Sequence, residues 1–202
     1  MKLIEPSVEI LTDIDNMKAL KQIEQAARNC YRSEDRITED GESARKIVKK
    51  LMSKHHNAML EFVDIAVRLV CDIGVYKDLT RHRHCSFAIE STRYCNYKDG
   101  IHFIKPCNMP EKTSNYAVWF DTMVLIDKAY QEMVQAGAKP DQLRMLLPHS
   151  TAASVVMKAN VREWRHIFEL RTSTAAHPSV QQVMNMLLKE FKQKLPDLFG
   201  DL

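Results

Sequence analysis

The run Val63-Asp64-Ile65-Ala66-Val67-Arg68-Leu69 decides the fold class of this chain, because the hydrophobic period changes there. Val63, Ile65, Val67 and Leu69 alternate with Asp64, Ala66 and Arg68, which predicts a half-buried strand. On its N-terminal side the period is helical. Leu20, Ile23, Ala27 and Tyr31 recur at helical spacing, so an amphipathic helix is expected over residues 16–31, closed by the polar run Cys30 to Asp35. A second helix, from about Glu42 to Lys54, carries Ala44, Ile47, Val48, Leu51 and Met52 on its apolar face.

On the C-terminal side, residues 72–83 read as a short helix or turn and Ile101–Ile104 as a short strand stopped by Pro106. Asn115 to Ala136 carries Trp119, Phe120, Met123, Ile126, Tyr130 and Met133 on one long apolar face, a stripe expected to be exposed for assembly. Gly137 is a natural helix end, and Pro140 suits the first turn of the short helix that follows. Thr151 to Met157 is β-branched enough for a strand. Asn160 followed three residues later by Glu163 predicts a capping box that opens a helix to about Arg171. A last helix is expected from about Ser179 to Lys194. Without repeats or a linker, this mixture indicates one α+β domain over residues 1–202.

Composition narrows the function classes. The 202 residues are 45% hydrophobic and 27% charged, with a net charge of +3, which is ordinary globular composition. Five Gly and seven Pro exclude a collagen-like or linker-rich chain. No stretch approaches the roughly 20 apolar residues of a membrane span. Charged and Pro positions occupy MKLIEPSVEI where a signal peptide would be apolar, so a soluble, cytoplasmic protein is expected. Five Cys, without a C-x-x-C pair, predict reduced thiols in or near the core. His55, His56 and Glu61 lack recognisable ligand spacing, so no metal site is expected.

The densest polar cluster is Arg81-His82-Arg83-His84-Cys85-Ser86-Phe87-Ala88-Ile89-Glu90-Ser91-Thr92-Arg93-Tyr94. It lacks both the apolar face of a helix and the alternation of a surface strand. Planar arginine forks match phosphate oxygens two at a time, and serine adds hydroxyl donors; a solvated basic face is the alternative. A second set follows Asn160: Arg162, Arg165 and His166 on the first two helical turns, where free N–H groups also favour anions, and Arg171 at the helix end. Arg171 there reads equally as a cation offsetting the helix dipole. No G-x-G-x-x-G, P-loop or G-x-S-x-G occurs, so a nucleotide would be held by arginines and helix ends.

Arg81-His82-Arg83, seven further residues and Ser91, continued by Arg93-Tyr94, resembles the R-H-R-x7-S signature of the flavin-dependent thymidylate synthases. Cys30-Tyr31-Arg32-Ser33, His56 to Glu61, Arg144 with Leu147-Pro148, Asn160-x-Arg162 and Leu170-Arg171 follow the same family order, over about residues 25–185. The resemblance implies helices packed on a small, mostly antiparallel sheet, like the thymidylate-synthase-complementing proteins. It further implies a homotetramer with active sites shared between subunits. Noncovalent FAD would serve methylation of dUMP to dTMP, with 5,10-methylenetetrahydrofolate as carbon donor and NADPH as reductant. His56, Glu61, Arg81, His82, Arg83, Asn160, Arg162 and His166 would contact FAD. Glu90, Ser91, Arg93, Arg144 and Arg171 would contact dUMP, with Arg171 set against the pyrimidine as the catalytic group.

Two segments depart from the family pattern. Ala88-Ile89 stands where Asn-Glu is usual, with Glu90 one position later, and Ala176-His177-Pro178 stands where Ala-Gln is usual. These departures leave room for a divergent flavin-dependent methylase or hydroxymethylase of another pyrimidine nucleotide. A basic nucleic-acid-binding module is the non-enzymatic alternative, and the small net charge speaks against it.

Overall fold

A computed structural model describes residues 1–202 as an α+β fold in two layers. Its spine is the antiparallel pair β3 (Asp64–Asp72) and β6 (Ala152–Asn160), registered from Asp64 opposite Asn160 to Asp72 opposite Ala152. β2 (Ser7–Ile10) adds to β3 and β4 (Ser86–Ile89) to β6, both antiparallel, giving the order β2-β3-β6-β4. The predicted alternation holds. Ile65, Val67, Leu69 and Cys71 are buried on one face, whereas Arg68 and Lys158 are exposed on the other, the pattern of an antiparallel sheet covered on one side.

The covered face meets α1 (Asn16–Asn29), α2 (Glu42–Ser53), α6 (Val161–Arg171) and α7 (Pro178–Lys194). Trp164, Phe168, Phe191 and Phe199 pack stacked, tilted or edge-to-face in this core, with ring centroids 4.9 to 5.8 Å apart. Trp164 also donates its indole N–H to the Ile65 carbonyl at 3.0 Å. That bond satisfies the polar edge of a fully buried ring and fixes α6 against β3.

A second cluster, Ile101, Phe103, Met123, Tyr130 and Leu143, lies between the parallel pair β1 (Lys2–Ile4) and β5 (His102–Ile104), α4 (Ser114–Gln135) and α5 (Pro140–Leu143). It consumes the α4 stripe that the sequence leads one to expect outside. Met123 and Tyr130 are buried there, and Trp119, Ile126 and Met133 pack against them. The large apolar side chains that α4 does expose are Val118, Val124 and Leu125.

Three strands, β1, β2 and β4, have no counterpart in the sequence pattern. β1 and β2 are short edge segments whose three or four residues give periodicity little to act on. β4 interrupts the basic cluster, its half-buried Phe87 and Ile89 paired with Met157 and Val155 of β6. The thiols also divide differently from expectation: Cys71 is buried and Cys85 half-buried, but Cys30, Cys95 and Cys107 are exposed. No helix is long and apolar enough to cross a membrane.

Candidate active site

The site begins where β6 becomes α6. Asn160 is the N-cap, and its side-chain oxygen accepts the Glu163 backbone N–H at 2.9 Å. The expected reciprocal half of the capping box is absent. Instead of returning to the cap, the Glu163 carboxylate lies 3.4 Å from Nδ1 of His82.

His82 arrives from the other end of the sheet. Asp72, the last residue of β3, caps α3 (Ile73–Leu79) by accepting the Val75 N–H at 2.8 Å. A turn follows α3, closed by the His82 N–H donating to the Leu79 carbonyl at 3.0 Å. Within that turn Arg81 and Arg83 are exposed while His82 between them is buried. Neither arginine has a hydrogen-bond or ion-pair partner elsewhere in the chain. His82 meets the Arg171 guanidinium instead: Nε donates to Nε2 of His82 at 3.0 Å, and Nη2 donates to the Asp78 carbonyl at 3.0 Å. Arg171 thus bridges α6 to α3, and does more than offset the charge at the end of its own helix.

Two adjoining depressions, of about 740 and 510 Å³, share His84, Glu163 and His166 and form one polar cleft. Of the residues expected to hold FAD, Glu61, Asn160, Arg162 and His166 line the larger part, and Arg81, His82, Arg83 and His166 the smaller. Arg162 and Glu61 meet at 2.6 Å across the cleft. Half-exposed pairs of this kind contribute little stability, so a ligand can exchange them at small cost. Arg165, on the same helix, is held by both Asp201 oxygens at 2.7 and 2.6 Å.

His56 is not in this cleft. The segment Asn57–Phe62 is a 3-10 helix, and His55 before it has a left-handed φ of 56°. That reversal sends the two neighbours apart. His55 lines the main cleft, and His56 lines a separate groove of about 780 Å³ between α1 and α2.

The residues expected to contact dUMP are dispersed within one chain. Glu90 is committed internally, accepting from the Tyr97 hydroxyl at 3.0 Å and the Ser154 N–H at 3.3 Å. Ser91 follows β4, its hydroxyl 3.4 Å from the Arg93 N–H, and Arg93 lies 5.6 Å above the Tyr94 ring. Arg144 stands exposed after α5, near enough to Tyr76 of α3 for its charge to act on that phenol. Of these, only Arg171 is tied to the cleft, through its hydrogen bond to His82. Sequence reading missed the side-chain role of Glu163, having spent it on the cap; its spacing of three from His166 was the available signal.

Burial, then the Arg171 charge, holds His82 below the ordinary imidazole value, with Glu163 opposing. Burial also pushes the nearby Cys85 thiol up to about 12. The cleft wall therefore presents a neutral imidazole at His82 beside the Glu163 carboxylate. No three His, Cys, Asp or Glu side chains converge in metal-ligating geometry.

The family model described as thymidylate synthase complementing protein matches residues 14–197. A flavin-dependent thymidylate synthase of Corynebacterium glutamicum is 26% identical over 211 residues, covering 96% of this chain and 83% of the relative. One from Geobacter sulfurreducens is 26% identical over 182 residues, covering 87% and 78%. In fold, the chain is similar to a UMP/dUMP methylase, PolB of Streptomyces cacaoi, bound with 5-Br dUMP. That likeness has a TM-score of 0.80 and 21% identity, over 99% of this chain and 96% of the other.

The lowered His82 value fixes the sign of a pH effect. The unfolded chain takes up a proton at His82 as pH falls through about 6.5, whereas the folded chain resists until its lower value. Stability tied to this residue is complete above that range and declines on acidification. The groups facing the ring are Arg171, Glu163 and His166, so the effect is isolated by difference. Urea denaturation should show wild type losing more stability between about pH 7 and 5 than His82→Gln. Equal losses refute the assignment.

Proposed function

The chain belongs to the thymidylate synthase complementing protein family, and from that premise we propose that it methylates dUMP to dTMP in a flavin-dependent reaction. Flavin-dependent thymidylate synthases are its curated relatives, and a dUMP methylase shares its fold. One observation carries the reading: two unpartnered guanidiniums, Arg81 and Arg83, flank a buried imidazole at a polar cleft that opens on the first turn of α6.

The donor set fits FAD. Two unpaired arginine forks match a pyrophosphate, and the cleft continues past Glu61, Asn160, Arg162 and His166. When bound, the flavin supplies the hydride that arginine, serine and histidine cannot. NADPH is the reductant and 5,10-methylenetetrahydrofolate the carbon donor in this reading. The protein's own work is binding and electrostatics. Ser91, Arg93 and Arg144 hold the nucleotide, and Arg171 faces the O2/N3 edge of the pyrimidine. A fixed cation there favours the electron-rich, enolate-like ring that C5 needs in order to attack a one-carbon unit. Ser91 binds and does not act as a nucleophile.

Shared sites in a homotetramer account for two features of the single chain. His56 and Glu61 face different grooves, so one flavin meeting both is best spanned between subunits. Ser91, Arg93 and Arg144 line neither part of the cleft, and Val118 and Leu125 leave an apolar stripe on α4. A second reading extends the substrate to UMP. It is favoured by the fold neighbour's activity on both nucleotides and by Ala88-Ile89 replacing polar residues in β4.

Three measurements test this. The purified protein should carry flavin absorbance, and Arg81→Ala with Arg83→Ala should release it, since charged hydrogen bonds contribute about 1.5–3 kcal/mol each; unchanged occupancy rules out this flavin site. Arg171→Lys should lose most dUMP turnover, because it keeps the charge and loses the fork, whereas Arg144→Ala should mainly raise KM. Full turnover in Arg171→Lys removes the pyrimidine role, and a wild type that methylates UMP in preference to dUMP establishes the second reading. Light scattering should give four times the 23.4 kDa chain mass, and an active monomer ends the shared-site account.

A further inference from the structure

We infer that Glu163 is a positioning residue for Arg171: its carboxylate holds the His82 ring in the Nδ1–H form, so that Nε2 remains an acceptor for the Arg171 guanidinium. The value of Arg171 to catalysis rests on the proposed function; the geometry of the relay does not.

The hydrogen-bond chemistry leaves one assignment. An arginine Nε–H donates and cannot accept. Nε of Arg171 lies 3.0 Å from Nε2 of His82, so Nε2 presents its lone pair. A neutral imidazole then carries its proton on Nδ1. The carboxylate facing that nitrogen is Glu163, at 3.4 Å. The side chains of His82 and Glu163 are 6% and 12% exposed, so water competes little for either. His166 packs edge-on against the His82 ring, with centroids 6.1 Å apart, and limits its rotation.

The consequence appears at Arg171. His82 takes Nε and the Asp78 carbonyl takes one Nη2 hydrogen. Nη1 has no partner in the chain, so the far end of the guanidinium is free for a ligand while its near edge is locked. Without the carboxylate, the imidazole loses its preference for Nδ1–H. The Nε2–H form sets one N–H against another and releases the guanidinium. Such a loss leaves the helix intact, because Asn160 holds the Glu163 backbone N–H and not its side chain.

The test compares Glu163→Ala with Glu163→Gln, whose amide oxygen can accept the same Nδ1–H. Glu163→Ala should lower kcat on dUMP on the order of 10-fold, with a smaller change in KM and an unchanged thermal midpoint. Glu163→Gln should restore most of kcat. In the His82→Asn background, Glu163→Ala should lower kcat no further, because its effect runs through the ring. Nitrogen NMR on histidine-labelled protein, without nucleotide, should find the His82 proton on Nδ1 in wild type and shifted toward Nε2 in Glu163→Ala. His82 protonated at Nε2 in wild type overturns the inference, as does a Glu163→Ala enzyme with wild-type kcat or tautomer. The NMR arm needs no turnover, so a wild type inactive on dUMP sinks the function while the relay is still decided.

Discussion

The nine-residue antiparallel pairing of β3 with β6 is the constraint on which the site depends. Each end of that ladder launches a helix. Asp72 ends β3 and caps α3, which leads into Arg81-His82-Arg83; Asn160 ends β6 and caps α6, which carries Arg162, Glu163, His166 and Arg171. Because side chains alternate in a strand, a slip of one residue would turn Ile65, Val67 and Leu69 out of the core. The same slip would displace Asn160 from its cap and separate α6 from the turn after α3. Burial of the sheet face therefore also aligns the groups of the cleft.

In and around the cleft, the cations divide into two kinds. Arg162 and Arg165 are answered inside the chain by Glu61 and Asp201. Arg81, Arg83 and Arg144 are not. Paired arginines tie elements together, and the Arg165 fork anchors the C-terminal residues beside α6. Unpaired ones keep their donors for an anion, which is the arrangement a phosphate-bearing ligand requires. Arg171 combines the two: a locked edge and a free end.

Local backbone conformation distributes neighbouring residues among different surfaces. The left-handed φ at His55 sends His55 and His56 into separate grooves. In the turn after α3, His82 alone turns inward and is buried between two exposed arginines. Contiguity in sequence thus says little about shared location here, and a motif of three residues presents two guanidiniums to solvent while its middle residue joins the interior.

The sequence by itself determined the α+β class, the position of the central strand and the five longer helices, because burial on one face imposes periods that persist over many residues. It also identified Arg81, Arg83, Asn160, Arg162 and Arg171 as the residues of interest, through their clustering and their match to the family motif. Short edge strands stayed hidden, since three or four residues carry too little periodicity and depend on the partner strand. Tertiary structure alone decided that the α4 stripe is mostly covered, that His56 faces away from Glu61, and that Glu163 serves His82 rather than its own N-cap. Each of these depends on contact between segments distant in the chain, where local pattern gives no orientation and packing selects the partner.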